Sequence, residues 1–302
     1  MDILARSEPL ETVKKRPDTS AELKSQLILS EKLLTFAKNE LHLKPGSAYS
    51  AYADLKRDHV VWNIFAAPEL SLEPKEWSYP IVGALEYRGY FKEEDAQAEA
   101  DKLKAQGYDV IVGGVDAYST LGWFRDPLLN TFIHENELAL AELIFHELAH
   151  RQLFRKGETA FNEALATAVS YHGVRQWLRS QGKTAELKKY EQLLVRRTEF
   201  YDHIDRARSD LETLYASTKT KDQKRRQKRQ ILDALQTDFR ELRRRWKTKG
   251  GEHWLDQPLN NAHLVASATY HEHLPVFEDL IQQHNGDIKA FFKAAKKLPS
   301  LE

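Results

Sequence analysis

Apolar residues recur at helical spacing through the first segment, about residues 8 to 44, where Leu23, Leu27, Leu29, Leu33, Leu34 and Phe36 predict one or two helices ending near Pro45-Gly46. From about 49 to 91 the texture turns aromatic and β-branched (HVVWNIFAAP, then YPIVGALEYRGYF). Pro68, Pro74 and Pro80 punctuate it, which predicts strands and ordered loops. A short helix over 93–106 closed by Gly107 is followed by a strand, YDVIVGGV, running to Gly113-Gly114. A helix between two strand candidates implies a small mixed sheet. A loop holding Tyr118, Trp123 and Pro127 leads to a strongly helical segment at about 136–154, a break at Lys156-Gly157 and another helix at about 160–181.

Residues 185 to 247 carry long heptad-like, charge-rich stretches separated by a polar turn near 217–223, the pattern of an antiparallel helical hairpin. Gly250-Gly251 ends it, and helices follow at about 260–284 and 287–297. The expected fold is α+β and mainly helical, with a small mixed sheet beside the 136–154 helix and a long antiparallel hairpin. The expected organisation is 1–182 (N-terminal helices, small sheet and the helices at 136–154 and 160–181), 183–250 (helical hairpin extension) and 251–302 (C-terminal helices completing the first domain).

Composition narrows the chemistry. The 302 residues, 41% hydrophobic, suffice for a full core. Lys+Arg and Asp+Glu number 45 each, so no overall field recruits nucleic acid or an anionic membrane. With no cysteine, any metal site must use His, Asp, Glu or water. There is no transmembrane run of apolar residues, and the first residues lack the apolar core of a secretory signal.

Within the 136–154 helix stands His146-Glu147-Leu148-Ala149-His150, an HExxH motif. Positions four apart share a helix face, so both imidazoles can reach one ion while Glu147 projects toward a bound water. Zinc lowers the pKa of such a water from about 15.7 to roughly 7, and an adjacent carboxylate can then take its proton during attack on a peptide carbonyl. The bland alternative is two capped histidines on a half-buried helix with Glu147 as a surface charge. A catalytic Zn2+ takes three protein ligands. The metzincin pattern is excluded, because Leu153 and Lys156 stand where it needs glycine and histidine. Glu163 on the following helix is one candidate for the third. Glu158 and His172 compete for that role, but His172 falls two and a half turns beyond Glu163, on the opposite face.

The segment Phe161-Asn162-Glu163-Ala164-Leu165-Ala166 resembles the one that supplies the glutamate ligand in gluzincins, the clan of thermolysin and the zinc aminopeptidases, and the resemblance implies Glu163 as the expected third ligand. Twelve residues separate Glu163 from His150, fewer than in the best-known gluzincins, so the connection must be short, and Gly157 can supply its turn. Over nearly its whole length the chain also resembles a family of bacterial proteins described as zinc-dependent aminopeptidases. The likeness rests on DILARSEPLE, VVWNIFAAPELSLEPKEW, YRGYF, GYDVIVGGVDAYSTLGWFRDPLL, LIFHELAHRQLF, TAFNEALATAV and NNAHLVASATYHEHLPVF. The resemblance implies a gluzincin-like peptidase acting on a peptide or protein substrate. Because that family usually carries a lipoprotein-type export signal, it also implies a periplasmic or membrane-anchored native precursor, possessing a lipid anchor that this cysteine-free stretch does not hold.

Peptide hydrolysis creates an oxyanion that zinc peptidases stabilise with a Tyr or His donor. Tyr270, then His271, are the first choices, in a late helix that also holds His263 and offers Asn260 and Asn261 to the substrate; the alternative for Tyr270 is a core ring with a satisfied hydroxyl. The 109–114 strand and the loop with Tyr118 and Trp123 are expected to line the cleft and hold substrate backbone, though both aromatics suit plain packing equally. Glu69, Glu73 and Glu86 remain open as acids for a substrate ammonium. The basic run Lys224 to Arg229 and the triplet Arg243 to Arg245 are interleaved with acids and lack an aromatic platform, which favours a solvated hairpin over nucleic-acid binding. The competing functional readings are a narrow-specificity endopeptidase and a metal-binding scaffold or regulatory protein with a non-catalytic zinc site.

Overall fold

A computed structural model describes residues 2–80, 83–117, 126–247, 257–271 and 273–301. The opening helical stretch divides where proline and capping chemistry require it. After α1 (Asp2–Ala5) and β1 (Glu8–Pro9), α2 (Leu10–Lys15) stops before Pro17, and α3 (Ala21–Asn39) starts on Ser20, whose hydroxyl accepts from Leu23 N at 3.1 Å.

Strands β2 (Ala51–Ala53), β3 (Val61–Pro68), β4 (Trp77–Tyr79), β5 (Gly83–Leu85) and β6 (Tyr87–Tyr90) follow, then α4 (Glu93–Ala105), β7 (Tyr108–Val115) and β8 (Leu128–Leu129). In the largest sheet β3 lies between β6 and β7 and runs antiparallel to both, with Asn63 opposite Gly89 on one side and Gly113 on the other. Helix α4 is therefore a crossover that carries the chain over β3. The period-two alternation of β3 sorts its two faces: Ile64 and Ala66 pack under Ala96, Ala100 and Leu103 of α4, while Val61 and Asn63 face a cleft on the other side. The mixed pairing expected from sequence occurs elsewhere, in the short sheet where β2 runs antiparallel to β1 and parallel to β8.

The remaining elements are helical: α5 (Glu137–His150), α6 (Thr159–Ser180), α7 (Thr184–Ala216), α8 (Lys221–Trp246), α9 (Asn261–His271), α10 (Leu274–Gln283) and α11 (Ile288–Ala295). The main core gathers α3, α5, α6, α10 and α11, with Phe36 meeting the Trp177 ring edge-on at 5.2 Å and Phe161 meeting Phe277 at 5.0 Å. Helices α5 and α6 pack closely because Gly173 presents no side chain: a Cβ there would stand 2.6 Å from the buried Phe145 ring. The single helix expected over 260–284 is instead α9 and α10. Pro275, in the first turn of α10, cannot donate a backbone bond and disfavours helical geometry in the residue before it.

Helices α7 and α8 form the expected antiparallel hairpin, its second arm started by a reciprocal Thr220/Gln223 capping box. The arms enclose their own apolar seam, including Leu211, Leu235 and a stacked Phe200–Phe239 pair at 4.4 Å, and Leu264 of α9 joins it. Among the described residues no helix is long and apolar enough to cross a membrane.

Candidate metal centre

Helix α5 is apolar on most of its surface and begins on Asn136, whose side chain accepts from Leu138 N and Ala139 N. Its last turn carries His146 and His150 on one face, as the spacing requires. Gly157, at φ +83, turns the chain back in a left-handed conformation that an L side chain rarely adopts. Helix α6 then passes under α5 with Glu163 in its first turns.

The three side chains converge. His146 Nε2 lies 3.0 Å from His150 Nε2 and 3.1 Å from Glu163 Oε2, and His150 Nε2 lies 3.6 Å from the same oxygen. Metal bonds of about 2.0–2.1 Å from tetrahedrally disposed donors put neighbouring donor atoms about 3.3 Å apart, so this triangle has the size that Zn2+ requires. Two imidazoles and one carboxylate are also a known catalytic zinc donor set, and the three residues form a cluster able to hold a metal ion. His150 Nδ1 is buried and finds no hydrogen-bond partner among the described residues.

Electrostatics follow from burial and from the mutual approach of the groups. Burial alone would raise Glu163, but His150 and His146 outweigh it and hold the carboxyl well below the usual carboxylate range. Burial lowers His150, and the charges of Glu163 and Glu147 reverse that, leaving it raised. Glu147 is not drawn into the triangle. Its carboxyl is raised mainly by burial, with Glu163 and Asp126 adding to the shift and the two histidines opposing it, which moves it toward the range useful to a general base.

A cleft of about 750 Å³ opens over these groups. The end of β7 contributes Gly114, and Val115, Asp116 and Ala117 continue the wall, so the expected strand lines the cleft together with His146, Glu147 and Glu163. Tyr118 and Trp123 lie outside the described residues, as do the side chains of Tyr270 and His271 at the end of α9. Asn260 and Asn261 are not among the lining residues. Asn260 binds Ala262 N and donates to Val110 O at 3.2 Å, while the fully buried Asn261 donates to Pro68 O and Ser71 O, each at 2.9 Å. Their amides hold α9 to the sheet. Glu69, Glu73 and Glu86 do not line the cleft either, and Glu69 is spent on Arg225. Glu158 and His172 stand outside the triangle.

Two groups that sequence reasoning did not single out are on the wall. Glu142 lies one turn before His146 on the same face of α5, a position that helical spacing alone could have flagged. Arg197 reaches the wall from α7, and no local signal announces so distant a partner. Asn162, next to Glu163, pins the loop between α5 and α6 through the backbone of Arg155.

Fold and centre together define a mainly helical α+β protein with a two-histidine, one-glutamate cluster at the base of a cleft. The chain belongs to the family described as "Putative aminopeptidase", whose model matches residues 1–302, which places it among the peptidases. No curated protein and no solved structure matches it.

Proposed function

We propose that the protein is a zinc-dependent metallopeptidase of aminopeptidase type. The observation that carries this reading is the triangle of His146 Nε2, His150 Nε2 and Glu163 Oε2, with sides of 3.0, 3.1 and 3.6 Å, one residue away from an acid outside it. A Zn2+ held there supplies a Lewis acid that makes water acidic near neutral pH. Glu147, raised by its burial, accepts the proton of the attacking water and returns it to the leaving amine. The cleft gives a peptide access to the centre, and β7, at the edge of its sheet, offers backbone groups to an extended peptide.

The test is Glu147→Gln. The variant is expected to keep the parent's zinc content and to lose about 10²–10⁴-fold in the hydrolysis of aminoacyl substrates. Retained activity at full zinc content overturns the catalytic reading in favour of a non-catalytic metal site. Hydrolysis of N-terminally blocked peptides as fast as free ones identifies an endopeptidase instead, because only an aminopeptidase needs the free amine.

A further inference from the structure

Arg197 and Glu142 form an ion pair on the wall of the cleft, bridging the hairpin and the metal-binding helix. Arg197 Nη1 donates to both Glu142 Oε1 and Oε2 at 2.9 Å. A pair whose only task was to fasten α7 to α5 would present the planar edge of the guanidinium to the carboxylate, one nitrogen per oxygen. Here one nitrogen takes both oxygens. The guanidinium also hydrogen-bonds the Tyr171 hydroxyl, and the centroid of that ring is 5.3 Å from its carbon. The two ends of the pair are unequal in exposure as well. The Glu142 side chain is 17% exposed and that of Arg197 33%, so the cation is the more open half of the pair, and both line the cleft.

The charges around it sharpen the point. Among the described lining residues the carboxylates are Asp116, Glu142, Glu147 and Glu163, and the guanidinium of Arg197 is set among them. Arg197 is the one lysine or arginine among the described lining residues, already oriented by Glu142, and apart from the metal centre it is the complementary group that a peptide carboxylate meets in this cleft. An internal segment of a long protein brings no such carboxylate.

We infer that Arg197 binds the C-terminal carboxylate of the substrate, and that the protein acts on short peptides with a free C-terminus, the hairpin supplying the residue that measures them. Glu142 is a positioning residue that fixes the guanidinium. The inference rests on the peptidase reading, which gives the cleft its peptide, but its test does not depend on turnover.

The measurement is calorimetric binding of trialanine and trialanine amide to zinc-loaded Glu147→Gln protein. The free acid is expected to bind at least about tenfold more tightly than the amide, the contribution of a charge-assisted hydrogen bond to the guanidinium. Adding Arg197→Gln is expected to bring the ratio to about one while leaving the amide's Kd within about twofold. Arg197→Lys keeps the charge and the bond to Glu142 but loses the fork, and should give an intermediate ratio; it also covers the case in which Arg197→Gln fails to fold. Glu142→Gln should weaken the acid alone; equal weakening of acid and amide would reduce Glu142 to a purely structural part. Equal binding of acid and amide by the parent, no binding of either, or a preference that survives both Arg197 variants overturns the inference. Failure of the peptidase reading looks different: the protein with Glu147 intact would cleave neither peptide while the acid–amide difference persisted.

Discussion

Asn162 grips the backbone of Arg155 from both sides, its Oδ1 accepting from Arg155 N at 2.8 Å and its Nδ2 donating to Arg155 O at 2.7 Å. The Arg155 guanidinium in turn donates to Ala295 O, Leu298 O and Pro299 O. The loop between α5 and α6 is thus fastened at one point to α6 and to the chain after α11. Since Asn162 precedes Glu163, its loss should free the third ligand without touching the metal. Asn162→Ala is expected to weaken zinc binding about 10–100-fold, as loss of an outer-shell partner typically does. Asn162→Asp keeps the acceptor and should fall between. Competition with a chromogenic chelator reads the affinities, and parental zinc affinity in Asn162→Ala would remove the loop from the account.

The cluster was legible in the sequence because its three residues, the proposed ligands, sit on two consecutive helices with helical spacing. His146 and His150 share a face by the four-residue rule, and Glu163 follows after a turn that Gly157 could supply. The helices, the strand over 108–115 and the hairpin were legible for the same reason, each being a long local pattern. What escaped was long-range or used up internally. Asn260 and Asn261 look like free polar groups on an apolar helix, yet a fully buried amide must be satisfied, and Asn261 finds its acceptors at Pro68 and Ser71, far back in the chain. The basic run around Lys228 reads as solvated charge because nothing in its spacing shows that β7 and the segment after β3 offer it oxygens. Proline chemistry did announce the break before Pro275, but the apolar periodicity on both sides outweighed it in a reading by pattern.

His172, once a competitor for the third ligand, makes a different contribution. It packs beneath Gly286, where a Cβ would stand 2.9 Å from its Cε1, and its Nε2 lies 3.4 Å from Gln176 Nε2. Burial first, then the charges of Arg175 and Arg179, lower its pKa from 6.5 to about 4. The native state holds this imidazole neutral while the unfolded chain protonates it at the ordinary value. Stability is therefore unaffected by this group above about pH 6.5, falls as the pH drops from there toward about 4, and levels off below. Other groups titrate in the same window, so the check is a difference: His172→Gln should show a shallower loss of urea midpoint between pH 6.5 and 4 than the parent. Parallel curves for the two proteins would refute it.

The last expectation concerns how the hairpin is seated. Lys228 of α8 is buried, and its Nζ donates to Asp109 Oδ2 at 2.5 Å and to Glu69 O at 2.8 Å. The same Asp109 oxygen accepts from Asn261 N at 2.8 Å, and Tyr215 of α7 donates to Asn261 Oδ1 at 2.8 Å. One small network therefore joins both arms of the hairpin to β7, to the exit of β3 and to the start of α9. Removing only the cation leaves a poorly solvated carboxylate, so Lys228→Met should cost about 3–5 kcal/mol in a urea titration, the range for breaking a buried pair. Asp109→Asn keeps an acceptor for Asn261 N, so combining it with Lys228→Met removes the stranded charge, and the double variant should lose less than the sum of the singles by about 0.5–3 kcal/mol. A lysine that was merely solvated would give a single-variant effect within about 0.5 kcal/mol and no coupling. The hairpin also carries Arg197, so loosening its seat should lower the preference for a free peptide C-terminus under conditions where the protein is still folded, whereas a stability change confined to the core would leave that preference alone.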